Sequence, residues 1–424
     1  MRFLFCSLDS LGTLFPSMGL ALALEKRGHD VAFVTSLARA DVLAACGLRR
    51  IEREAAADGP SFLVRRWAEK VEIALQVKHI EHALSVFPAD VLVGQQLTFG
   101  PLIAAERRAI PLAMIGYASY LWPSRSEKAA AACHRAETGE GEGGADAGAE
   151  RRDRLEWRYR DMLGHLNRAR ALFRRPPLDL PCEASPMLGD LFLLRAIPSL
   201  EKDWLDLPAQ VHLVGDCLWE PEGPADAALQ GWLERAEQSG KPLLYLHHGQ
   251  FFGDPMFLAA LVEAARTLDL WVAASVGRIG EPIGVLPERF FVRDHLPQQA
   301  VLPRAAAVVA SGHSTVALGA LLAGLPSLLV CSGGEQPEIG FRWREAGVSR
   351  ILRPEEATPA SLRAGIEEVL SDRQMRRRAQ AEQRNLREWP RRAAVDLLER
   401  LARERRPVLR EDAKKTFLMA ERYR

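Results

Sequence analysis

Paired cysteines, a charge imbalance and an uninterrupted apolar span are all missing from this sequence, and each absence removes a class of protein. The six cysteines (Cys6, Cys46, Cys133, Cys182, Cys217 and Cys331) are scattered, with no Cys-x-x-Cys to clasp zinc or run redox chemistry. A cytoplasmic, reducing home is expected. Lys and Arg number 56 against 55 Asp and Glu, a formal net charge of +1, so no global field recruits nucleic acid or an anionic membrane. The opening MRFLFCSLDS lacks the long apolar region of a signal peptide and reads as a buried first strand.

Charge is also missing locally: residues 305–334 contain no Lys, Arg, Asp or Glu. Within them lies ASGHSTVALGALLAGLP (310–326), which admits three readings: a membrane span, a nucleophilic serine on a sharp turn, or a cradle for phosphates. A span needs about 20 predominantly apolar residues in continuous helix. Ser311, Gly312, His313, Ser314, Gly324 and Pro326 interrupt this one, so strand, turn, helix and second strand fit better. A nucleophile elbow would place glycine where Val316 stands and a catalytic histidine later in the chain, yet none of the ten histidines lies beyond His313. The cradle remains, with backbone N–H groups at a helix start and the Ser314 and Thr315 hydroxyls offered to a pyrophosphate. Gly and Ser at such a turn also serve simply to cap a helix, and the turn alone leaves both readings open. A P-loop is excluded, because Gly240-Lys241 runs into Pro242.

A chain of 424 residues is long for one core and comfortable for two domains. RFLFCSL, DVAFVTS, DVLVGQ and IPLAMIG read as buried strands separated by helical patterns, including PSMGLALALEKRG from Pro16, which Gly28 stops. KPLLYLHHGQFFGDP then repeats the opening order of strand and glycine turn, followed by a helix and the strand LWVAASVG. Such alternation predicts parallel sheets, with ligands at the carboxyl ends of the strands. The segment 124–154, rich in Gly, Ala and charge, reads as a mobile surface loop, either idle or a lid. The arginines of LEWRYRDMLGHLNRARALFRR read as a solvated helix face.

In HLPQQAVLPRAAAVVASGHSTVALGALLAGLPSLLVCSGGEQPEIGFRWREAGV the motif order resembles the GT-B glycosyltransferases, in the family of plant small-molecule glucosyltransferases and bacterial antibiotic glycosyltransferases. GTLFPSMGLALALEKRGHDVAFVTS is similar to that family's first loop and helix, and VHLVGD to its interdomain strand, so the resemblance covers nearly the whole chain. It implies an α/β GT-B fold, two Rossmann-like parallel-sheet domains facing across a cleft. The implied parts are an acceptor domain at 1–208, a linker at 209–240, a nucleotide-sugar domain at 241–388, and C-terminal helices at 389–424 partly packing back on the first domain. By the same resemblance, backbone near Leu296 and Gln298 holds a nucleobase, while Gly249, Gln250, Ser311, Gly312, His313, Ser314 and Thr315 hold a diphosphate. Glu335 and Gln336 stand where the family's aspartate–glutamine pair binds sugar hydroxyls, a task that suits a carboxylate and an amide.

Departures from the family are equally specific. Its diphosphate-binding histidine aligns with Ser311, leaving His313 either as a substitute or as a packing residue. Its glutamate for the ribose hydroxyls aligns with Gly319. Its general-base histidine and orienting aspartate align with Thr13 and Gln95, neither of which titrates near neutral pH. Asp9, the carboxylate of the SLDSLGT loop, is the candidate replacement base or a turn cap. An amine acceptor oriented by Thr13 and Gln95 is the alternative.

The expected function is inverting, metal-independent transfer of a sugar from a dTDP- or UDP-sugar to a small secondary-metabolite acceptor, as in antibiotic biosynthesis. The chain has no Asp-x-Asp cluster to hold a metal, and no cofactor is expected beyond the nucleotide sugar as co-substrate. No nucleic-acid partner and no membrane span are expected, and a homodimer is left open. The rival reading, favoured by the lost dyad, is a catalytically impaired GT-B-like nucleotide-sugar-binding or auxiliary protein.

Overall fold

Parallel strands buried on both faces require continuous apolar runs, and those of this chain build two sheets. The computed structural model describes residues 1–52, 59–117, 145–181, 184–201, 207–221, 226–249, 255–277, 286–390 and 392–410. The first sheet contains β1 (Arg2–Cys6), β2 (Asp30–Val34), β3 (Val91–Gln95), β4 (Leu112–Gly116), β5 (Leu191–Leu194) and β6 (Val211–Leu213), in the order β2-β1-β3-β4-β5-β6. The second contains β7 (Leu243–His247), β8 (Trp271–Ser275), β9 (Phe290–Arg293), β10 (Ala307–Ala310), β11 (Ser327–Val330) and β12 (Ser349–Leu352), in the order β12-β11-β10-β7-β8-β9. Every pairing is parallel, with Phe3 opposite Val91 in one sheet and Val308 opposite Tyr245 in the other. The architecture is the two-sheet α/β arrangement expected from the sequence.

Both sheets reverse their winding direction beside their first strand, between β1 and β3 and between β7 and β10. Open parallel sheets bind ligands outside the strand carboxyl ends at such switch points. Helices cover both faces of each sheet. Leu4 and Leu92 pack with Ile73, Ile80 and Leu166, whereas Phe3, Phe5 and Val93 face Leu14, Met18, Val395, Leu398 and Leu401. In the second half Tyr245 and Val308 meet Trp232, Val316 and Trp343, while Leu244 and Val309 meet Leu261 and Ile366.

The helix Ala393–Glu404, last of the described elements, therefore covers the first sheet. Arg27 ties it down through Asp396 at 2.6 Å and Glu399 at 3.1 Å, and the His29 Nε2 lies 2.9 Å from Glu399. The segment 209–240 contributes to both halves: β6 completes the first sheet, and the helix Ala227–Gln238 buries Leu229, Trp232 and Leu233 in the second core. Of the segment read as a loop, 124–144 lies outside the described residues, and 145–154 already belongs to the helix Ala145–Leu172. The sequence pattern places the first helix from Pro16 onward. The observed helix, α1 (Leu11–Glu25), begins earlier and carries Pro16 inside it.

Two glycines let the chain cross between the halves at close range. A Cβ on Gly19 of α1 would lie 2.6 Å from Trp219 Cβ, and one on Gly215 would lie 2.9 Å from Trp389 Cδ1. Trp219 also packs edge-on to Phe15, with ring centroids 6.0 Å apart. Because Trp219 Cβ cannot swing away as a side-chain tip can, Gly19→Val is expected to cost about 1–3 kcal/mol through overpacking. Urea denaturation measures this, and an unchanged midpoint would show that the crossing yields easily.

Candidate functional site

The carboxyl ends of the two sheets face one another across a cleft with about 1150 Å³ of free space, its open mouth included. From the first half it is lined by Ser10, Leu11, Gly12, Thr13, Phe15 and Pro16 of the β1–α1 turn, by Gln95, Gln96 and Leu97 after β3, by Ile115, Gly116 and Tyr117 at β4, and by Arg195 after β5. From the second come His247, Gly249, Ser275, Gly277, Asp294, His295, Gln298, His313, Ser314, Thr315 and Glu335, with Glu220 from the crossing segment.

The sequence-derived cradle lies at this cleft. Gly312, at φ +76°, turns the chain out of β10 with its Cα against Cys331, where a Cβ would meet Sγ at 2.7 Å. The helix Ser314–Leu322 begins at once, with His313 as its N-cap and no side-chain cap bond. An anion nevertheless sits at its start: Glu335 Oε1 accepts the Ser314 N–H at 3.1 Å. This is the place where helix N–H groups and the helix dipole favour negative charge. Thr315 donates its hydroxyl across the cleft to the Gly12 carbonyl at 3.2 Å. Within α1 that carbonyl would ordinarily accept the N–H four residues on, and Pro16 has none.

His313 is held on both sides. Gln336 accepts the Ser332 N–H at 2.9 Å through Oε1, which turns its amide nitrogen toward His313 Nε2 at 3.4 Å. The ring therefore accepts at Nε2 and carries its proton on Nδ1, 2.8 Å from Ser311 Oγ. Burial pushes its pKa down, opposed by the Glu335 carboxylate and assisted by His248. Gly249, at φ +84°, passes so close that a Cβ there would sit 2.5 Å from His313 Cε1. His247 is neutral as well, with its pKa lowered to about 3, chiefly by burial.

Of the residues singled out in the sequence, Thr13, Gln95, Gly249, Gln298, His313, Ser314, Thr315 and Glu335 line the cleft. Ser311, Gly312, Leu296 and Gln336 stand behind that surface, and Leu296 donates its N–H to Ser275 Oγ at 3.3 Å. Gln250 lies outside the described residues. Gln95 Nε2 donates to the Thr13 carbonyl and, at 2.8 Å, to Ser17 Oγ, fastening α1 to β3 and leaving Oε1 without a partner among the described residues. Thr13 Oγ1 donates to the Ser10 carbonyl at 2.8 Å.

Asp9 requires a correction. Its Oδ1 accepts the Val64 N–H at 2.8 Å, its carbonyl accepts Arg39 Nε at 2.5 Å, and it is not among the residues lining the cleft. It caps a turn rather than facing a substrate. The sequence reading missed Gln96, Tyr117, Arg195, Glu220, His247, Asp294 and His295. Several follow an apolar strand at once, as Arg195 follows LFLL, and a polar residue at a strand's carboxyl end was the signal available.

Comparison with known proteins agrees with this geometry. Residues 259–396 match the family described as erythromycin biosynthesis protein CIII-like, C-terminal domain. The chain is 27% identical to 4'-demethylrebeccamycin synthase of Lentzea aerocolonigenes over 311 residues, 69% of each protein. Among solved structures, the calicheamicin glycosyltransferase CalG4 superposes with a TM-score of 0.62 at 23% identity, covering 95% of this chain and 98% of that one. The glycosyltransferase VinC in complex with dTDP gives 0.63 at 19% identity, covering 95% and 100%.

The electrostatics of His313 can be read directly. Since the Glu335 carboxylate is the group that raises its pKa against burial, Glu335→Gln should move the His313 titration to still lower pH. Imidazole ¹⁵N shifts followed from pH 8 to 4 would show it, with the neutral ring protonated on Nδ1. An unmoved midpoint would mean that the two groups are not coupled across the helix start.

Proposed function

We propose that the chain is a GT-B glycosyltransferase of the antibiotic-biosynthesis type, that a dTDP- or UDP-sugar is its donor, and that transfer to a small secondary-metabolite acceptor proceeds with inversion and without a metal ion. The observation that carries the proposal is the start of the helix Ser314–Leu322, which opens into the cleft against the first turn of α1. That the VinC neighbour was solved in complex with dTDP supports a nucleotide diphosphate as ligand. The second half, 241–388, binds the donor and the first, 1–208, the acceptor.

Each donor part has a matching surface. Leu296 and Gln298 frame the nucleobase, and Glu220 steadies their loop by accepting the Gln299 N–H at 3.2 Å. Gly319 leaves room for the Gln298 amide to lie against the cradle helix, where any side chain would collide with it. Gly249, Ser314 and Thr315 hold the diphosphate, with His313 beside them and Ser311, Gly312 and Gln336 keeping His313 and the turn in place. When the anomeric bond breaks, charge grows on the diphosphate, and the N–H groups and dipole at the start of the helix Ser314–Leu322 stabilise it, the Ser314 N–H once Glu335 has released it.

On donor binding, Glu335 must release the Ser314 N–H to the diphosphate and turn to the sugar hydroxyls. Inversion by a single displacement puts the acceptor on the opposite face of the anomeric carbon, toward the first half. There the described lining residues include no Asp, Glu or His. An amine acceptor needs no strong base in its neutral form, and Gln95 Oε1 and the Thr13 hydroxyl are positioned to orient it.

A thermal-shift panel of dTDP- and UDP-sugars tests the donor. A ligand at 100 times its Kd should stabilise the protein by about 2.7 kcal/mol, and silence toward every donor would overturn the proposal. Asp9→Asn should leave turnover near normal while lowering stability modestly, because a turn cap and not a base is lost. A fall of about 100-fold or more, the scale of removing a general base, would restore Asp9 to the chemistry.

A further inference from the structure

We propose that the acceptor side of the cleft contains a carboxylate subsite built from Arg195, Tyr117 and Gln96, and that one of the two substrates carries a carboxyl group into it. The proposal rests on the transferase reading only in placing substrates in this cleft.

The three residues follow the carboxyl ends of β3, β4 and β5, neighbours in the first sheet. The Arg195 N–H donates to the Gly116 carbonyl at 3.1 Å, and the Gln96 N–H to the Ile115 carbonyl at 3.0 Å, so the strand ends are locked in register. The missing Cβ of Gly116 leaves the space in which the Gln96 amide lies, 2.5 Å from where that atom would be. Arg195 stacks over the Tyr117 ring, its Cζ 5.4 Å from the centroid, and Nε donates to the Asp216 carbonyl at 2.8 Å. All three line the cleft and are more than nine-tenths buried, with Gln96 6%, Tyr117 2% and Arg195 4% exposed.

Their remaining polar atoms have no hydrogen-bond partner among the described residues: Arg195 Nη2, the Tyr117 hydroxyl, and both ends of the Gln96 amide. No ion pair of Arg195 occurs among the described residues either. Buried polar groups are ordinarily satisfied, and a buried cation without a counter-ion is costly. A guanidinium N–H, a phenol and an amide NH₂ are all donors, and the partner that answers a cation and two further donors is a planar anion with two acceptor oxygens. Gln96 Oε1 is left for a hydroxyl or N–H adjoining that group. Glu335 lines the same cleft, and its carboxylate and that of Asp216 both act on Tyr117, opposite in effect to Arg195.

The carboxylate can arrive on the acceptor or on a hexuronic-acid donor, and the experiment separates them. With dTDP present, calorimetry compares benzoate with benzamide, and turnover compares 4-aminobenzoate with 4-aminobenzamide; UDP-glucuronate is then compared with UDP-glucose. Wild-type protein should favour the charged member of one pair by at least about tenfold. Arg195→Gln should abolish that preference, Arg195→Lys should retain part of it because a point charge replaces a fork, and dTDP affinity should stay unchanged in both. Preference in the benzoate pair assigns the carboxylate to the acceptor, and preference in the donor pair assigns it to the sugar. Equal binding within every pair by the wild-type protein would overturn the proposal without any variant needing to fold. Failure to bind dTDP would instead count against the transferase reading.

Discussion

Pro16 has no N–H to give the Gly12 carbonyl, and Thr315 from the other half of the molecule donates there instead. A proline six residues into a helix ordinarily weakens it by removing one bond and crowding the carbonyl four residues back. Here the same residue leaves an acceptor at the cleft floor, and Gly12, with no side chain, lets the cradle helix approach it. A Cβ at Gly12 would lie 3.4 Å from Thr315 Oγ1. The first turn of α1 and the first turn of the helix Ser314–Leu322 are thereby held against one another across the cleft.

The electrostatics of the second half follow from a stretch without formal charge. Residues 305–334 bury a strand, a turn and a helix, so the positive end of that helix meets little competing field. Glu335, the first charged residue afterward, folds back to it and accepts the Ser314 N–H, placing a carboxylate at that positive end. Neutral His313, braced between Ser311 and Gln336, adds shape and a hydrogen-bonding edge but no charge. The first half is arranged oppositely, with one buried cation, Arg195, and no carboxylate among its described lining residues.

Much of this was legible before any coordinates. Apolar runs such as RFLFC and AVVA announce buried parallel strands, and the turn after AVVA announces a helix start at a strand's carboxyl end, where β10 and the helix Ser314–Leu322 lie. The helix pattern read from Pro16 is local, whereas the hydroxyl that answers the Gly12 carbonyl left free by Pro16 comes from residue 315, so α1 starts earlier than the pattern shows. Asp9 looked available because it is the carboxylate of its loop, and its partner, Val64, is 55 residues away.

The sequence by itself determined the element types, the doubled α/β order and the strand, turn and helix at 307–322, because hydrophobic periodicity and turn chemistry act over a few residues. Tertiary structure decided which polar groups meet: that Glu335 answers the Ser314 N–H, that Gln95 is spent on fastening α1, and that Gln96, Tyr117 and Arg195 share one surface. Those three residues are up to about a hundred positions apart and become neighbours only when β3, β4 and β5 pair in parallel. Sheet order fixes that adjacency, and no local spacing encodes it.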